Sequence, residues 1–125
     1  MEFTIKLDRM PAYVLIETRG QPSEHDFDTL LSTLVEAPDW IPGAHQIVDH
    51  RDLRVGELTL NLIERIYQVV LHYRDKLGDG KVAIVVQNSC GFGLSRMYDL
   101  IGGEHIHRDI DVFYSLDEAA RWLEQ

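Results

Sequence analysis

The sequence predicts an α/β fold. It reads as a single domain over residues 1–125, with a mixed, mostly parallel sheet of five strands, an antiparallel N-terminal strand and four helices in the order ββαβαβαβα. Three observations lead there. Short apolar segments alternate with longer ones of helical periodicity. The first two strand-like segments are joined by a short turn, which favours an antiparallel hairpin. Each later strand is separated from the next by a helix, which calls for crossover connections and parallel pairing.

The elements follow in order. Phe3, Ile5 and Leu7 alternate with Thr4 and Lys6, the pattern of a strand with one wet face. Asp8 to Pro11 turns the chain, and Ala12 to Thr18 is a second strand, broken by Gly20 and Pro22. Ser23 begins a helix, with Asp26 three residues later in a short-acid variant of the capping box. Phe27, Leu30, Leu31 and Leu34 form its apolar stripe. Pro38, Pro42 and Gly43 mark a loop that holds Trp40, and residues 36–46 read either as a lid or as a connection.

Gln46 to Asp49 is a short third strand. Leu58 to Leu77 is the longest helix, with Leu62, Ile63, Ile66, Val69, Val70, Tyr73 and Leu77 on one broad apolar face, stopped by Gly78 and Gly80. Tyr67 and Tyr73 read as core or interface residues. Val82 to Val86 is apolar without alternation, as a strand covered on both faces would be. A third helix follows a glycine-bearing turn. Ile110 to Tyr114 is the last strand, and Ser115 with Glu118 forms a capping box for a final helix through Trp122 and Leu123.

Composition excludes several function classes. Hydrophobic residues at 45% and charged residues at 26% describe an ordinary globular chain rather than a disordered one. With 21 acidic against 12 basic residues the formal charge is -9, and the basic residues are interleaved with acids, so nucleic-acid binding is not expected. No apolar run is long enough to span a bilayer, and the charged N-terminus lacks the apolar core of a signal peptide. The single cysteine suits a reducing compartment, so the cytoplasm is the expected location.

In this order and size the elements resemble the SpoIIAA-like group, which is related to the STAS domains of anti-sigma-factor antagonists. VDHRDL at 48–53, FGLSRMYDLIGG at 92–103 and VFYSLDEAARWLEQ at 112–125 carry the likeness, which extends over nearly the whole chain. The resemblance implies a mixed sheet with helices wound in one sense. It also implies binding of protein partners, or of apolar or anionic ligands, rather than catalysis. In the antagonists, a serine near the start of the helix after this strand is phosphorylated to break a partner interface. Here DLRVGELTL, residues 52–60, holds no Asp-Ser-Ser-Gly run, and Thr59 is the nearby hydroxyl left as a regulatory candidate.

The candidate site is the strand-turn-helix around residues 90–96. Gly91, Gly93 and Arg96 would supply turn amides and a guanidinium for an anionic or amphipathic ligand, Phe92 an apolar wall, and Asp49 and His50 neighbouring polar groups. A competing reading is enzymatic. Cys90, Gly93 and Arg96 have the C-x2-G-x2-R spacing of cysteine-dependent phosphatases, with Cys90 as nucleophile, Arg96 as phosphate clamp and Asp49 or Asp52 as the nearest candidate for general acid. Ser89 and Met97 depart from that pattern, which has a histidine and a hydroxyl residue there. His105 and His107 are the tightest histidine pair and are too few for a zinc site, so neither metal nor cofactor is expected. Small size and aromatic loops would allow homodimerisation.

Overall fold

The structure, a computed structural model, describes residues 1–89, 91, 93 and 109–125. Five strands form one sheet in the order β1-β2-β3-β4-β5: β1 (Glu2–Lys6), β2 (Tyr13–Gly20), β3 (His45–Leu53), β4 (Val82–Val85) and β5 (Ile110–Phe113). β1 pairs antiparallel with β2, and every later pairing is parallel. The mixed sheet expected from the sequence is therefore present. Three helices lie among the described residues: α1 (Glu24–Glu36), α2 (Leu60–Leu77) and α3 (Leu116–Leu123). Of the four helices expected, three are described in full; the one expected after the glycine turn falls mostly outside the described residues, and Ser89, Gly91 and Gly93, the described residues there, are already helical.

Strand alternation divides the side chains between two layers. On one face, Val14 and Ile16 pack with Leu30, Leu31 and Leu34 of α1 and with Leu77 of α2. On the other, Ile47, Ala83 and Val85 pack with Ala119 and Leu123 of α3. Lys81 Nζ reaches the carbonyls of Trp122, at 3.2 Å, and Gln125, at 2.7 Å, setting a cation at the end of α3 where the helix dipole favours one.

Helix boundaries follow their caps. Ser23 Oγ accepts from the Asp26 N–H at 3.1 Å, while the Asp26 carboxylate takes the Met1 ammonium at 2.9 Å instead of closing a full capping box. Ser115 Oγ accepts from the Glu118 N–H at 3.2 Å. The long helix begins at Leu60 rather than Leu58, because Thr59 is its N-cap and accepts from the Leu62 N–H at 3.1 Å.

The connection around residues 36–46 is pinned to the core through Trp40. Trp40 is only 7% exposed, and its indole N–H donates to the Lys76 carbonyl at 3.0 Å. Gly43 N–H donates to the Leu77 carbonyl at 2.9 Å. Gly78 sits at φ +78°, and a Cβ there would run into the Gly43 backbone. The amino ends of the parallel strands are thereby clamped.

Candidate functional site: a cavity under the first two helices

β3 carries the site residues. It runs past the expected Gln46–Asp49 to Leu53, and it contains a bulge. Glu17 pairs with Asp49 and Arg19 with Asp52, so His50 and Arg51 together oppose the single residue Thr18. Gln46, Val48 and His50 alternate onto the face beneath α1 and α2. The extra residue resets the alternation, so that Leu53 faces the same side as His50.

That face bears two apolar clusters that meet at Val48. One centres on Val14, Ile16 and Leu34, the other on Val82, Ile84, Val86 and Val112. Between them lies a cavity of about 140 Å³. Its walls are apolar side chains of the sheet, α1 and α2, such as Ile16, Leu30, Ile66 and Ile84. Gln46 and His50 are the polar side chains among the described lining residues. Four residue steps along β3 separate them, a span of about 13 Å.

His50 marks the end of the cavity nearer the strand termini. Its Nδ1 lies 2.5 Å from Thr18 Oγ1, and Thr18 Oγ1 donates to the Asp49 carbonyl at 3.2 Å. The Thr18 hydroxyl thus lies between the Asp49 carbonyl and Nδ1, and the direction of its bond to the ring follows the imidazole tautomer. The Phe27 ring meets the imidazole edge-on at 6.1 Å. Enclosure among such groups penalises the imidazolium and pushes the His50 pKa down to about 4, against a smaller opposing pull from Asp49. His50 is thus neutral near pH 7.

Asp49 does not join it. One step along a strand reverses the side chain, and Asp49 points to the opposite face. There Arg51 grips it, Nε to Oδ1 at 2.9 Å and Nη2 to Oδ2 at 2.8 Å, with the Arg51 N–H on Oδ1 at 3.1 Å. Burial works against the charge, yet the Arg51 hydrogen bonds outweigh it and hold the carboxyl below its ordinary range. The grouping of Asp49 with His50 expected from the sequence is corrected accordingly. A carboxylate held ionised in this way is also poorly suited to act as a general acid.

Gly91 and Gly93 have helical backbone just beyond β4. Gly91 is buried, lines the cavity, and a Cβ there would press on Val86 at 3.1 Å. Its N–H donates to Asn88 Oδ1 at 3.1 Å, so this amide, offered to an anion in the sequence reading, already has a partner. Gly93 is exposed. Cys90, Phe92 and Arg96 lie outside the described residues, as do His105 and His107. Among the described residues, no three metal-ligating side chains gather at one place, and no helix is long and apolar enough to cross a membrane.

Gln46 and the bulge escaped the sequence reading. A glutamine two residues before a valine and four before a histidine, on one strand, places all three on one face. That spacing was the available signal.

A mixed sheet with an apolar hollow between one face and its helices defines an α/β domain whose built interior space adjoins the carboxyl ends of the parallel strands. An uncharacterized protein of the DUF3478 family from Shewanella loihica PV-4, with a SpoIIAA-like fold, superposes with a TM-score of 0.66 at 17% identity, covering 98% of this chain and 92% of that chain. The present chain has the SpoIIAA-like fold. No protein-family model matches it, and no curated protein does.

Proposed function

We propose that this protein is a non-enzymatic cytoplasmic binding domain whose cavity takes up a small amphipathic molecule. The cavity itself carries the reading. Apolar cavities of about 150 Å³ accept a benzene-sized guest, and this one, at about 140 Å³, is of that order. Left unfilled, such a volume costs roughly 3 kcal/mol at about 24 cal/mol per Å³. Neutral His50 adds a hydrogen-bonding edge without introducing a charge. A site recessed between the layers also fits the surface. Among the described residues, the large apolar side chains that stand exposed are Ile41, Leu60 and Tyr114, from three separate segments. They offer a protein partner little contiguous area.

Thermal unfolding with α-methylstyrene as probe tests the reading. The probe should raise the Tm of the wild-type protein. Val48→Phe, which fills the hollow from the middle of β3, should raise the Tm without ligand and abolish the response to the probe. An unresponsive wild type, or an equal response in Val48→Phe, would refute the proposal.

A further inference from the structure

At the end of the cavity opposite His50 stands Gln46. It is 4% exposed, it lines the hollow, and its Nε2 is fully enclosed with no hydrogen-bond partner. Its backbone is fixed, because its N–H donates to the Lys81 carbonyl at 2.9 Å and its neighbours in register are Val14 and Val82. A primary amide buried without a partner is costly, whereas a leucine or methionine of similar size would cost nothing of this kind. Stability therefore does not account for the amide.

We infer that Gln46 is the polar anchor of the cavity, and that its ligand is an uncharged small molecule with a slender apolar body and one carbonyl or hydroxyl oxygen at its inner end. This rests on the binding function proposed above and adds the chemical class of the ligand. With the amide turned toward the hollow, the oxygen would accept from Nε2 and satisfy a donor that has no partner among the described residues. The described surroundings favour an uncharged group. The described lining residues include no lysine or arginine, and His50 is neutral. Arg51 is turned to the other face and occupied by Asp49. A carboxylate at the inner end would meet apolar walls and one amide, too little to replace its hydration.

Isosteric probes test the inference. Acetophenone and α-methylstyrene have nearly the same shape and differ in a carbonyl oxygen against a methylene. Their dissociation constants are measured by calorimetry on wild type, Gln46→Leu and Gln46→Met, with benzoate as the charged comparison. The ratio favouring acetophenone should fall about fivefold to tenfold in both variants, as expected for one hydrogen bond. The ligand-free Tm of both should equal or exceed that of wild type. An unchanged ratio with both probes still binding overturns the anchor and leaves the cavity reading intact. Benzoate binding more tightly than acetophenone at pH 7 overturns the uncharged class. Failure of both neutral probes on wild type overturns the binding reading and the anchor with it.

Discussion

Asp49 and His50 are neighbours in the chain and face opposite sides of the sheet. One carboxylate serves the α3 side, locked in a two-pronged contact with Arg51. One imidazole serves the cavity side, bonded to Thr18. The two therefore have separable consequences.

Removing Arg51 leaves the Asp49 carboxylate buried without its cation. Arg51→Ala should cost about 2 kcal/mol in chemical denaturation. Asp49→Asn in the same background should recover part of that loss, which a double-mutant cycle measures. Neither change should weaken probe binding in the cavity by more than about twofold, because the pair lies on the other face.

His50 gives the protein an acid-sensitive stability. In the unfolded chain it titrates near 6.5, and in the folded one near 4. Between these values the unfolded state binds the extra proton. The contribution is complete above pH 6.5, declines as the pH falls toward 4, and is lost below that. Asp49, with its depressed pKa, adds a further loss at still lower pH as its carboxylate is protonated. Denaturation across this range should show a smaller decline for His50→Asn than for wild type down to about pH 4.

Thr59 caps α2. Thr59→Ala should cost about 1 kcal/mol. Thr59→Asp should retain wild-type stability, since an aspartate caps equally well and its charge suits the helix N-terminus. Comparing their melting temperatures shows whether added negative charge at this position, as phosphorylation would bring, leaves the fold intact.

Gly78 reports on the clamp at the amino ends of the strands. A Cβ there meets the Gly43 backbone, and the left-handed φ disfavours a side chain in any case. Gly78→Ala should lower stability by about 2 kcal/mol or more. Gly43→Ala, whose Cβ would enter open space, should lose less despite a similar φ.

Much of the fold was legible because periodicity and caps are local. The alternation of Phe3 and Ile5, the unbroken run Val82 to Val86, and Ser115 ahead of Glu118 all pointed to the elements observed. Ends were less legible. Thr59, not Leu58, sets the start of α2, and pairing with β2 extends β3 to Leu53. The site was less legible still. A bulge exists only between two strands in register, and a cavity only between layers. Neither is written in a short window of sequence. The opposed directions of Asp49 and His50 were readable from strand alternation alone, and their adjacency in the motif VDHRDL obscured it.

The most direct measurement is a methyl NMR titration with α-methylstyrene. The account predicts saturable shifts for the methyls of Ile16, Ile66, Val70 and Ile84 around the cavity, with Leu15, Val85 and Leu123 on the α3 face unmoved. Shifts centred on the α3 face, or none at any of these methyls, would contradict it.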